Sequence, residues 1–222
     1  MGNRFNILFL NAAGVFFLYP HLLEFFGNLD DSNRLLNAVN DDLNVLVYRV
    51  SCKALGLIHK KVTGPLWRKM VEVESNLHMN EHYKLMVDKF EQWSNDPTPF
   101  LSGGDSLFPN LVHQDEVYEK LVAPFDHDDM VKPLLEIIFS GFVTLSKRML
   151  YDHLEGVHAN PSESLLNEAR AVPTTNVIAE RDFGMLDRLM KAKPKAIDIA
   201  LEGIIMCRVN KTEEWRDRPP PC

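Results

Sequence analysis

The chain has 222 residues, with 24 Lys and Arg against 31 Asp and Glu, a formal net charge of -7, and 45% hydrophobic residues. That composition excludes a disordered tail, a collagen-like repeat and a disulfide scaffold, and its acidic balance argues against coating nucleic acid by bulk charge. Its three cysteines, Cys52, Cys207 and Cys222, form no CxxC pair, which removes the basis for a zinc ribbon and points to a reducing compartment.

Hydrophobic periodicity is helical almost throughout, so the expected fold class is mainly α. Ile7 to Tyr19 is apolar apart from Asn11 and follows Arg4, the outline of a secretory signal. Asn11 interrupts that run and no A-x-A-like site follows it. Tyr19, Pro20, His21 and Glu24 leave the segment too polar and too short for a bilayer span. It reads as a core helix from about Asn6 to Phe26, kinked at Pro20, and no membrane partner is expected. A second helix covers about Ser32 to Leu46, with Leu35, Leu36, Val39 and Leu43 on one stripe, and a third covers Val50 to His59. Only Asn44 to Val50 also fits a short extended run. Pro65 then occupies the first turn of a fourth helix, where its missing N–H costs nothing, with Leu66, Met70 and Val73 inward. Glu81 to Trp93 makes a fifth.

Asn95 to Asn110 is loop-like, with Pro97, Pro99, Gly103, Gly104 and Pro109. The acidic stretch from Asp105 to Glu136 reads as a solvated face. From about Asp129 a long helix follows, with Leu134, Ile138, Phe142, Leu145 and Met149 inward and acids at the positive end of its dipole. After a break at Glu155-Gly156, Asn160-Pro161-Ser162-Glu163 reads as N-cap, N1 and N3 of a short helix reaching Arg170. Thr175 or Asn176 caps a helix to about Lys191, with Phe183, Leu186 and Met190 inward. Beyond Pro194, Ile197, Leu201, Ile204 and Arg208 mark a last helix. The tail ending Pro219-Pro220-Pro221-Cys222 is expected to fray.

Several short constellations could carry chemistry. His78-Met79-Asn80-Glu81-His82 has the H-x-x-E-H form, in which two imidazoles one helical turn apart hold zinc and Glu81 polarises its water. A third ligand would come from Glu116, Glu119 or Glu136. The same residues also read as a helix start at Asn80-Glu81, with His78 in the preceding loop and the one-turn geometry lost. Asp126 to Asp129 and Asp152-His153 read as helix ends. Lys60-Lys61 and the series Arg188, Lys191, Lys193, Lys195 are the basic clusters, each a solvated face or a phosphate contact. Glu180 stands three residues before Phe183. Its i+3 and i+4 neighbours, Phe183 and Gly184, offer no ion pair. It is either a first-turn acid favoured by the dipole or a metal-binding acid held against a core.

The stretch Thr175-Asn176-Val177-Ile178-Ala179-Glu180-Arg181-Asp182-Phe183-Gly184-Met185-Leu186 resembles the C-terminal signature of the hAT superfamily of DNA transposases. That signature is Glu-Arg-x-Phe-(Ser/Gly) followed by a basic stretch, here Lys191 to Lys195, and a Leu-rich helix, here Ala200 to Ile205. The segments 4–9, 52–58, 62–68 and 79–83 extend the resemblance over nearly all residues up to Trp215. The resemblance implies an RNase H-like core in which two Asp and one Glu hold two divalent metals, with a large helical insertion before the Glu. Glu180 would then be the third catalytic acid and metal ligand. Arg4-Phe5 would match the family's Arg-Trp pair, with Phe where the family stacks an extruded base on Trp.

Neither catalytic Asp nor the family's zinc-finger domain has a counterpart before Arg4, and one acid cannot hold two metals. The expectation is a truncated remnant that is not catalytic alone and takes no cofactor alone, Mg²⁺ or Mn²⁺ being implied for a full-length relative. Its expected parts are an insertion-like domain over 1–157, a catalytic-Glu and dimerisation segment over 158–215, and a tail over 216–222. Arg4, Phe5, Arg181, Arg188 and Lys191 would contact DNA, and residues 160–215 would join two copies. The expected location is the nucleus, with the cytoplasm as alternative. A helical dimerisation or scaffolding protein without DNA contact is the second reading, and a zinc hydrolase at His78, Glu81 and His82 the third.

Overall fold

The computed structural model describes residues 4–28, 33–170, 172, 174, 175 and 177–212, with side chains from residue 6 in the first helix and from residue 180 in the eleventh. Among the described residues there are helices and turns and no strand, as the periodicity predicts. The chain forms two compact units that divide between Thr174 and Thr175.

The first unit begins with α1 (Arg4–Gly27), which carries Pro20 inside it. Ala12, Ala13 and Phe16 are its buried line. Small side chains there let α3 (Leu46–Ile58) approach closely. Gly56 of α3 completes the contact: a Cβ at this position would stand 2.9 Å from Ala13 Cα and 2.8 Å from Leu121 Cδ2. A glycine inside a helix costs about 1 kcal/mol relative to alanine, and here the close helix crossing offsets it.

Between them lies α2 (Arg34–Leu43), shorter at both ends than the expected Ser32 to Leu46. Asn33 caps its start, its side-chain oxygen accepting from the Leu35 N–H at 2.9 Å. At the other end the Asn44 side chain donates to the Asn40 carbonyl at 2.8 Å, a local bond that competes with continuation of the helix. No residue of α2 is buried, and Leu35 of the expected stripe is largely exposed. The extended reading of Asn44 to Val50 is overturned, since α3 starts at Leu46. Val50, Ala54, Leu57 and Ile58 form a helical stripe that packs into the core, and this tertiary burial overrides the β-branched character of Val45, Val47 and Val50.

A π-helical turn, His59–Thr63, joins α3 to α4 (Gly64–Glu72), where Pro65 lies in the first turn as expected. The wider turn carries Lys61 into the core beside the outer Lys60. Next come a 3₁₀ turn, Asn76–Met79, and α5 (Asn80–Asn95). The proline-rich stretch after α5 holds the short α6 (Thr98–Leu101), and it contributes Phe100 and Leu107 to the core rather than running only over the surface. In α7 (Glu116–Val122), Asp115 caps the start by accepting from the Tyr118 N–H at 2.9 Å.

The long α8 (Asp128–Met149) packs on α5. Its fully buried line is Val131, Leu135 and Phe139, displaced by one or more positions from the expected one. Leu134, Ile138 and Phe142 are half-buried, and Leu145 and Met149 are exposed. The apolar arc of α8 is wide, and the aromatic partners on α5 and α6 set its phase. Phe139 lies 5.7 Å from Phe90, 5.1 Å from Trp93 and 5.0 Å from Phe100, centroid to centroid. Trp93 and Phe100 stand 4.7 Å apart. Such pairs add about 0.5–1.5 kcal/mol each to the apolar area they bury.

After α9 (Tyr151–Leu154), α10 (Glu163–Ala169) is capped by Ser162 rather than Asn160, the Ser162 hydroxyl accepting from the Leu165 N–H at 3.3 Å. Arg170 pairs with Glu74 at 3.2 Å, and the Thr174 hydroxyl donates to the Met70 carbonyl at 2.5 Å. These ties hold the stretch after Gly156 to the first unit, which therefore runs past the division at 157/158 drawn from the sequence. The second unit consists of α11 (Val177–Ala192) and α12 (Asp198–Val209), which pack on each other. The 216–222 tail lies outside the described residues.

Candidate nucleic-acid and dimerisation surface

Glu180 lies in the first turn of α11, where the helix dipole favours an acid. It is exposed and makes no hydrogen bond or ion pair with another described residue. One stripe of α11 is half-buried: Asp182, Met185, Leu186 and Leu189, at helical spacing. Leu186 thus faces inward as expected. Phe183 and Met190 do not; they are 69% and 52% exposed, a correction of the stripe drawn from sequence. A 3.6-residue period fixes the width of an apolar face but not which of two adjacent lines finds a partner. On α12 Leu201 is buried, while Ile199 and Met206 stay exposed, as does Ile197 just before it.

The basic side chains of α11 are largely engaged within the helix. Arg181 Nε stands 3.6 Å from Asp182 Oδ1, and Lys191 pairs with Asp187 at 2.8 Å. Arg188 Nε donates to the Gly184 carbonyl at 3.1 Å, which leaves its charge uncompensated by any described acid. Lys193 and Lys195 follow, both exposed. Residues 177–212 hold seven Lys and Arg against five Asp and Glu, a local basic balance in a chain of net charge -7. The side chains of Arg4 and Phe5 lie outside those described.

A pair of divalent ions needs several convergent carboxylates. Among the described residues no three His, Cys, Asp or Glu side chains converge on a metal-sized point, and Glu180 stands as a single exposed acid. Among the described residues, Glu180 alone does not fit a pair of metals.

The His78 motif is divided between two elements. His78 belongs to the 3₁₀ turn and shares a hydrogen bond with the Ser75 hydroxyl at 2.8 Å. His82 is in α5, edge-on to Phe108 at 5.6 Å, with its pKa lowered by burial and then by Lys69. Together with Glu81 they line a cavity of about 470 Å³. Glu116, Glu119 and Glu136 bring no third ligand into that group.

Other groups take structural roles. Asp128 accepts from Lys53 Nζ at 2.7 Å and from the Phe125 N–H at 3.0 Å, so the acids after Asp126 serve the α8 start. The buried Asn80 accepts from His153 Nδ1 at 2.8 Å and donates to the His158 carbonyl at 2.6 Å. Burial keeps the His153 pKa below the usual value. Lys60 and Lys61 fit neither sequence reading. Lys60 pairs with Asp115 at 2.6 Å, and the fully buried Lys61 donates to the Phe100 carbonyl. Desolvation lowers the Lys61 pKa to about 7. No local pattern marks this, because the carbonyl that receives Lys61 belongs to Phe100, far along the chain.

No family model, curated protein or solved structure matches the chain.

Proposed function

We propose that the chain resembles part of a hAT-superfamily transposase, carries a dimerisation and DNA-contact surface on α11 and α12, and does not cut or join DNA by itself. The observation that carries this reading is the second unit's exposed apolar set beside the Glu-Arg-x-Phe motif. Phe183, Met190, Ile197, Ile199 and Met206 are all exposed on a two-helix unit. Exposed apolar groups at this density mark an interaction surface, and a second copy brings the same surface to the contact. Residues 160–215 are the proposed contact region. Arg188 supplies an uncompensated cation for phosphate, with Arg181 and Lys191 exchanging their acids for it and Arg4-Phe5 contributing by resemblance. The proposed location is the nucleus.

The α1 segment from Asn6 to Gly27 is long and apolar enough to cross a membrane. Its Ala13 and Phe16 pack in the first unit's core, which favours a core helix, while 17% of its apolar window is buried and Leu8, Leu10, Leu18 and Phe25 are exposed.

A second reading, a dimerisation or scaffolding protein without DNA contact, is favoured by the pairing of Arg181 with Asp182 and of Lys191 with Asp187. A mobility-shift titration over a salt series separates the two. DNA binding that weakens steeply with salt, and weakens further in Arg188→Ala, supports the transposase-like reading. Absence of a shift at low salt supports the scaffold. A nicking assay with Mg²⁺ or Mn²⁺ tests the catalytic claim: nicking by the pure chain that disappears in Glu180→Gln overturns it.

A further inference from the structure

In the first unit, α1, α2 and α3 surround a cavity of about 370 Å³. That volume lies in the range of roughly 300–1,000 Å³ typical of small-molecule sites. Val15 and Phe16 of α1, Val39 and Leu43 of α2, and Cys52 of α3 give it an apolar wall. Arg49 is its one cation and Asp42 its one acid, and no ion pair joins them.

Arg49 is held in an unusual way. Its guanidinium carbon stands 4.4 Å from the Tyr19 ring centroid and 4.7 Å from that of Phe125. Ring faces stabilise the positive charge but accept no strong hydrogen bond. Arg49 Nε is buried and has no hydrogen-bond partner, and no described carboxylate pairs with the guanidinium. A buried donor left unmet costs about 1–3 kcal/mol, so the site carries both a free charge and a free donor facing apolar walls. The Tyr19 hydroxyl donates to the Leu43 carbonyl at 3.1 Å and holds α1 to the end of α2. Because α2 buries none of its own residues, Val39 and Leu43 gain cover from anything that fills the cavity.

We propose that this cavity binds a small apolar monocarboxylate, with its hydrocarbon part against Val15, Phe16, Val39 and Leu43 and its carboxylate on Arg49. A planar guanidinium matches a carboxylate in a two-pronged contact, which a single alcohol oxygen cannot reproduce. Arg49 is the single cation of the lining, so the site matches one carboxylate. The site is independent of α11 and α12, and its outcome is separate from that of the DNA and dimerisation tests.

Isothermal titration of the full chain with octanoate and with octanol tests the proposal. Octanoate is expected to bind at least about tenfold more tightly than octanol, since one charge-assisted pair contributes about 1.5–3 kcal/mol. Arg49→Met is expected to abolish that preference while octanol affinity stays within about twofold. Hydrogen exchange on the wild-type chain gives a second readout that does not depend on a variant: octanoate should slow exchange across residues 34–43. Equal affinity for the two probes, no octanoate binding at millimolar concentration, a preference that survives in Arg49→Met, or unchanged exchange over α2 would each overturn the proposal.

Discussion

The two units differ in what they bury: both expose large apolar side chains, Leu35, Ile137 and Met149 in the first among them, but only the first encloses an aromatic cluster. In the first, α5, α6 and α8 enclose Trp93, Phe100 and Phe139, each with at most a trace of exposure, and even two lysines are buried with them. In the second, Phe183 and Ile199 are 69% and 77% exposed, on helices whose sequences are no less apolar. The difference lies in how many elements converge. Phe139 meets rings from two other helices, whereas α11 has α12 as its packing partner within the unit. A two-helix unit has too few faces to cover a wide apolar arc, so these side chains stay uncovered within it.

Four substitutions test this contrast. Phe139→Ala should cost the most, about 3–5 kcal/mol, because it opens a cavity among rings that cannot collapse into it. Urea unfolding gives the value, and a loss below about 1 kcal/mol would mean that the aromatic cluster is loosely packed. Gly56→Val comes next, at about 1–3 kcal/mol or more, since even the first added carbon meets Ala13 and Leu121 at 2.8–2.9 Å. A thermal melt as stable as wild type would show that α1 and α3 do not cross as closely as described.

Lys61→Met tests burial through pH. The Lys61 pKa in the folded chain is about 7, below the ordinary lysine value of 10.5. The unfolded chain therefore binds more protons between those values, and stability rises with pH across that window. The burden of charging Lys61 is full below about pH 7 and gone near 10.5. Methionine keeps the unbranched stem without the charge, so the variant should gain melting temperature at about pH 6 and lose most of that gain by about pH 10. An equal change at both pH values would mean that Lys61 is not desolvated. The smallest effect belongs to Phe183→Ala, which should alter monomer stability by no more than about 0.5 kcal/mol, as for an exposed position. A loss like that of Phe139→Ala would place Phe183 in a core after all.

Much of the architecture was legible in the sequence. The long apolar periods of α1, α5 and α8, and Pro65 in the first turn of α4, needed only local rules. Phase was not legible. On α8 the buried line is Val131, Leu135 and Phe139 because Phe90 and Phe100 stand there, and no periodicity names a distant partner. The same holds for Phe183 and Met190 on α11. The position of Glu180 in a first turn followed from the pattern around Thr175 and Asn176, but the engagement of Arg181 by Asp182 and of Lys191 by Asp187 emerged only with the helix built. Arg49 gave no signal in the sequence. Its interest comes from two rings, one of them on a distant segment, that close on a cation without supplying an anion.

Light scattering on the full chain, beside Phe183→Glu, tests the central claim most directly. The wild-type chain should have twice the mass of one copy at micromolar concentration, and Phe183→Glu should have the mass of one copy with an unchanged helical content and a melting temperature that no longer depends on concentration. A wild-type chain that stays at the mass of one copy across the concentration range would contradict the account.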